Sequence, residues 1–185
     1  MDYKILAFSG SDSPFQDWGD WWMDNAGQAY NGTSPQYQTA KSVAERLRPN
    51  LIIGHSLGGG LASFASIHTG IQAMTVNPAP LNVSASGKLM NNAYDKVLNF
   101  VAENEALDLL QKLSYKAHIN EDNFKLWAEY TRLSTICPNY KLAHTVPYMR
   151  RVGRDNYKNS YANNPGHRHL LNYFSDYEKP FVPKL

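Results

Sequence analysis

A single cysteine, Cys137, occurs in 185 residues. That excludes an internal disulfide framework and a thiolate cluster for zinc. Charge of one sign is also lacking: 18 lysines and arginines stand against 16 acidic residues, a net charge of +2. This balance gives no reason to expect a nucleic-acid partner. No window approaches the run of about 20 apolar residues that a membrane-spanning helix needs. The opening residues, MDYKILAFSGSD, carry an acidic second residue and a short apolar run. A signal peptide would show a basic start and a longer apolar stretch. The chain is therefore expected to be made in the cytoplasm and to reach any external target by another route. Repeats and low-complexity segments are absent as well. What remains is an ordinary globular composition, 43% hydrophobic and 18% charged with 12 tyrosines. It suits one domain over residues 1–185 with one sizeable core.

The first half alternates between two periodicities. YKILAF (3–8) is a short apolar run stopped by Ser-Gly-Ser, which predicts a buried strand. YQTAKSVAERLR (37–48) is rich in helix formers and stops before Pro49. LII (51–53) reads as a second strand, and GGLASFASIHT (59–69) as a helix with Gly70 as its C-terminal cap. QAMTV (72–76) and KVLNFV (96–101) read as third and fourth strands, with a helix over EALDLLQKL (105–113). Strand and helix in turn predict a mostly parallel sheet covered by helices on both faces. Residues 114–165 break this rhythm. Apart from an amphipathic stretch, FKLWAEYTRL (124–133), they hold scattered prolines and tyrosines, and an irregular insertion or cap is expected there.

The stretch GHSLGG (54–59) lies between the second strand and the second helix. A G-x-S-x-G pattern is weak alone, but a strand before it and a helix after it are the setting in which it carries chemistry. The turn is so tight that the serine side chain is pushed out from the sheet, and the small residues leave room for the strand and helix to meet. The first helical amide, at Leu57, then has no helical carbonyl to serve and can face a developing oxyanion. A phosphate cradle is the competing reading. It would carry a lysine and a hydroxyl residue after the glycines, whereas Leu61 and Ala62 stand there.

A serine nucleophile needs a base, and the base needs a carboxylate to orient it. Acid candidates follow KVLNFV: Glu103, Glu105 and Asp108. Glu105 and Asp108 sit at helical spacing, so a helix N-terminal charge is the competing reading for each. Base candidates are His167 and His169 in GHRHLLNYF (166–174), late in the chain.

With these residues in view, the chain resembles the class 3 lipase-like branch of the α/β hydrolases, small bacterial and phage members included. Three stretches carry the likeness over about the first half: IIGHSLGGGLASFAS (52–66), AFSGSDSPFQDW (7–18) and VNPAPLN (76–82). The resemblance implies an α/β-hydrolase fold with Ser56 as nucleophile. It implies Leu57 and Ser11 as oxyanion-hole donors, Glu105 as the acid with Asp108 as alternative, and His169 as the base in preference to His167. Ser9 stands where the family has Arg, which removes a salt bridge bracing that loop. The implied chemistry needs no metal and no cofactor.

Directly after the oxyanion loop comes FQDWGDWWM (15–23). Trp21 and Trp22 are neighbours and cannot both face one side of a helix. They are assigned to the substrate side together with His55, because exposed indoles suit an acyl groove or a bilayer interface. Lys141, Arg150, Arg151, Arg154, Lys158 and Arg168 face only Asp155 over residues 141–170. They form a solvated face or a surface for anionic headgroups. The expected function is that of a serine esterase acting on lipid, a phospholipase A in particular. The alternatives are a non-catalytic hydrolase-fold module that binds lipid or protein, and an acyltransferase or thioesterase with the same triad. A lipase without a leader suggests an injected effector or a phage protein, and such a toxin could have an inhibitory immunity partner.

Overall fold

The structure is a computed structural model. It describes residues 3–10, 35–82, 95–105, 107–108, 111–112 and 149–158. Elements run in the order β1 (Ile5–Phe8), α1 (Pro35–Leu47), β2 (Leu51–His55), α2 (Leu57–Thr69), β3 (Ala73–Val76), β4 (Leu81–Asn82), β5 (Val97–Ala102), β6 (Met149–Arg150) and β7 (Arg154–Lys158). Five strands form one sheet in the order β1-β2-β3-β5-β7, and every neighbouring pair is parallel. β4 and β6 pair antiparallel in a separate short ladder. This is an α/β architecture.

Local sequence explains the helices. Pro35 opens α1, where a missing amide hydrogen costs nothing. Tyr37, Ala40 and Ala44 then recur at helical spacing and are the buried residues of α1. α2 is buried over nearly its whole length, including Ala62, Phe64, Ala65 and Ile67. Its hydroxyls survive there because each finds a carbonyl: Ser63 Oγ donates back to Gly59 at 2.9 Å, Thr69 Oγ1 back to Ala65 at 2.8 Å, and Ser66 Oγ forward to Ile71 at 2.5 Å. Gly70 ends α2 in the left-handed conformation, φ 74°, with its amide on the Ser66 carbonyl, as its position predicts. Both helices pack on one face of the sheet. Tyr37 meets Phe64 edge to face at 5.3 Å, and one apolar cluster joins them to Ile52, Ala73 and Val97.

The stretch 114–165, expected to be irregular, contributes β6 and β7, and β7 is the fifth strand of the main sheet. RDNYK shows no apolar run, which is why its pattern hides a strand. Its docking is polar. Thr75, Asn99 and Asp155 share one row of the sheet. The Thr75 hydroxyl donates to Asn99 Oδ1 at 2.5 Å, and Asn99 Nδ2 donates to Asp155 Oδ1 and to the Val152 carbonyl, both at 2.8 Å. A buried asparagine in a central strand thus fixes the edge strand by hydrogen bonds rather than by apolar burial.

The join between β2 and α2 tolerates no side chain at Gly54. A Cβ there would collide with the Gly58 carbonyl oxygen, and one at Gly58 with the Phe8 carbonyl oxygen. At Gly70 the space is open and only the positive φ matters. Gly70→Ala is therefore expected to lower stability by about 1 kcal/mol. Gly54→Ala is expected to cost several times that or to prevent folding. Urea melts of the two variants check the contrast, and equal losses would contradict the close approach.

Candidate active site

Because every strand of the main sheet is parallel, the C-terminal ends of all five lie along one edge. Loops at such an edge are where α/β sheets carry their sites. The edge gathers Ser9 and Gly10 after β1, Ser56 after β2, Asn77 after β3 and the turn 103–105 after β5.

Ser56 occupies the turn between β2 and α2 with φ 57° and ψ −124°. A non-glycine residue there costs about 1–3 kcal/mol and persists only where its surroundings impose it. Three hydrogen bonds impose it. The Ser56 amide donates to the Val76 carbonyl at 3.1 Å, while its own carbonyl accepts the amides of Gly60 at 3.1 Å and Ala79 at 2.8 Å. A serine at a helix N-terminus ordinarily spends its hydroxyl capping the helix. Ser56 makes no such bond, so the turn holds the main chain and leaves the hydroxyl to other partners. The residue is 7% exposed. Leu57 is the first residue of α2, in the position whose amide the helix itself does not use.

The loop after β1 passes beside this turn. A Cβ on Gly10 would lie 3.0 Å from the His55 carbonyl oxygen, 3.5 Å from Ser56 Cβ and 3.7 Å from His55 Nδ1. The structure thus brings Gly10, His55, Ser56 and Leu57 together. Ser11, the next residue after Gly10, lies outside the described residues, as do Trp21, Trp22, His167 and His169.

The two acid candidates sit differently. Glu105 is fully buried just before helical residues 107–108. Its Oε2 accepts the Leu107 amide at 2.9 Å, and its Oε1 the Asp108 amide at 2.6 Å. The carboxylate therefore caps the helix, and the helix begins after Glu105 rather than at it. Asp108 has charged partners as well as a backbone one. Its Oδ1 accepts Arg151 Nη2 at 2.6 Å, and its Oδ2 accepts Lys112 Nζ at 2.8 Å and the Asn104 amide at 3.0 Å. Arg151 also reaches Asp155 Oδ2 through Nε at 3.2 Å. Burial works to raise the Asp108 pKa. The Arg151 charge, the hydrogen bonds from Lys112 and Arg151, and the Lys112 charge outweigh it and hold the carboxyl below the usual range.

Sequence reasoning missed this ion-pair network because its members are 43 residues apart. One of the six cations expected at a solvated face is withdrawn: Arg151 is 4% exposed and bound to two carboxylates. Arg154 is exposed. Among the described residues no group of three His, Cys, Asp or Glu side chains is placed to hold a metal. Nor is any helix among them long and apolar enough to cross a membrane.

Residues 1–147 match the family model described as a Tle-like phospholipase domain, phospholipase-like. An extracellular phospholipase A1 of Serratia liquefaciens is 40% identical over 80 residues. That stretch is 40% of this chain and 24% of that protein, so the match spans about a quarter of the length of this curated relative.

The depressed Asp108 pKa sets an acid limit on stability. A carboxylate held below its unfolded value of about 3.9 contributes fully above that pH and loses its contribution as pH falls through the folded value. Chemical denaturation across the acid range should show stability falling below about pH 4. Asp108→Asn should flatten part of that fall. At pH 7 it should cost about 3 kcal/mol, the low end for a broken buried pair, since Asp155 still faces Arg151. A wild-type acid profile in Asp108→Asn would contradict the assignment.

Proposed function

The chain belongs to the Tle-like phospholipase family, and from that premise we propose that it hydrolyses carboxylic ester bonds of phospholipids as a serine phospholipase A of the α/β-hydrolase type. The observation that carries the reading is Ser56: a non-glycine residue in a strained turn between a strand and a helix, beside the loop that follows β1, with its hydroxyl unspent on the helix. The likeness to class 3 lipases and the family's phospholipase description support the substrate class.

In the proposed reaction Ser56 Oγ attacks the ester carbonyl while His169 accepts its proton. The carbonyl oxygen becomes an oxyanion held by the amides of Leu57 and Ser11. The imidazolium returns the proton to the departing lysophospholipid alkoxide, leaving an acyl-enzyme. Water, deprotonated by the same histidine, releases the fatty acid and restores the serine hydroxyl. Glu105 orients the imidazole and balances its charge. Glu105 accepts two backbone amides and is preferred to Asp108, whose charge is already balanced by the Arg151 and Lys112 cations. The topology supports a histidine on a late loop. β7 ends at Lys158 on the same edge as Ser56, and the nine positions to His167 give the chain up to about 30 Å of reach. Trp21, Trp22 and His55 are assigned to the acyl side.

The test is product analysis on phospholipid vesicles by mass spectrometry, with wild type beside Ser56→Ala. Wild type should release fatty acid and lysophospholipid, and Ser56→Ala should lose at least about 1,000-fold in rate. Hydrolysis of soluble esters without phospholipid cleavage would remove the substrate class and keep the chemistry. An inert wild type would favour a lipid- or protein-binding module on the same fold.

A further inference from the structure

Asn77, the first asparagine of VNPAPLN, has no part in the reaction above. In the fold that residue joins the serine turn to the acid turn. Asn77 follows β3, is fully buried and has φ 42°. Its amide donates to the Phe100 carbonyl at 2.8 Å, which continues the ladder between β3 and β5 by one rung. In a parallel ladder the next rung would run from the Ala102 amide to the main-chain carbonyl of Asn77. Instead the Ala102 amide donates to the Asn77 side chain, Oδ1, at 2.9 Å. The side chain stands in for the carbonyl, and the positive φ turns the main chain out of the sheet.

Both halves of this exchange have consequences. The turned main chain carries Pro78 against Gly59 and Ala79 onto Ser56, whose carbonyl accepts the Ala79 amide at 2.8 Å. The side-chain bond secures Ala102, whose carbonyl accepts the Glu105 amide at 3.1 Å. A continuous path of hydrogen bonds thus runs from the Ser56 carbonyl through 77–79 to Ala102 and Glu105. Asparagine suits the position on two counts: it tolerates positive φ better than most residues, and its carbonyl reproduces a peptide acceptor.

We propose that Asn77 is a positioning residue that fixes the acid turn relative to the serine turn by substituting its side-chain carbonyl for a sheet rung. The inference rests on the reading of Ser56 and Glu105 as nucleophile and acid. A displacement near 1 Å in such a constellation costs up to about 100-fold in rate, so a single buried bond far from the substrate can govern turnover.

The test is a double-mutant cycle on a short soluble ester, with kcat and KM corrected for the folded fraction by circular dichroism. Asn77→Gly keeps the backbone conformation and removes the acceptor. It should lower kcat between about 10- and 100-fold with KM unchanged. In a Glu105→Gln background the same change should lower kcat little further, because the group being positioned is already disabled. Asn77→Asp keeps an oxygen at the acceptor position at the cost of a buried charge, and per folded molecule it should retain a higher kcat than Asn77→Gly. Multiplying losses in the double variant would overturn the coupling, as would an Asn77→Asp kcat as low as that of Asn77→Gly. A wild-type kcat in Glu105→Gln alone would overturn the acid assignment itself, a distinct outcome visible before Asn77 is touched.

Discussion

Two carbonyl oxygens, those of Gly58 and Phe8, occupy the places where side chains at Gly54 and Gly58 would stand. From that close approach the rest of the site follows. It brings the start of α2 onto the end of β2 with one residue to turn, and that residue is Ser56 at φ 57°. The strain is sustained by the amides of Gly60 and Ala79 on one carbonyl and by Val76 on the amide. A strained serine in a wet loop would relax. Here it cannot, because relaxing it would undo the junction of β2 and α2 and detach the segment after β3.

The β7 side of the edge is built by a different force. Apolar packing organises β1, β2, β3, β5 and both helices, whereas polar groups dock β7 and order the turn after β5. Asn99 bonds across to Asp155, Arg151 reaches Asp108 and Asp155, and Glu105 and Asp108 cap backbone amides of one turn. Buried polar groups are costly unless fully satisfied, and satisfied ones admit few alternative arrangements. The proposed triad, which needs a carboxylate at a set distance from a hydroxyl, would benefit from that intolerance. The two regions meet at Asn77, where a side chain completes a rung that the main chain abandons.

This division also explains what could be read in advance. β1, β2, β3, β5 and both helices announce themselves through apolar periodicity, and their observed bounds lie within two residues of those expected. The serine turn is legible because glycine spacing records a steric requirement. β7 is not, because RDNYK docks through Asn99 rather than through apolar side chains. One polar residue inside KVLNFV was the available hint. The burial of Arg151 was hidden for a related reason: a basic run reads as solvated until the carboxylates that neutralise it are found elsewhere in the chain. Asp108 and Glu105 looked interchangeable by spacing, yet one is occupied by two cations and the other caps a helix. Only the fold separates them.

The central claim is that Ser56 is held in its strained turn as an activated nucleophile. The most direct measurement is incubation of the folded protein with a fluorophosphonate, followed by peptide mapping of the adduct by mass spectrometry. A single stoichiometric adduct on Ser56 is expected, absent from heat-denatured protein and slowed strongly in His169→Ala but not in His167→Ala. An unlabelled Ser56 in folded protein, or an adduct on another serine, would contradict it.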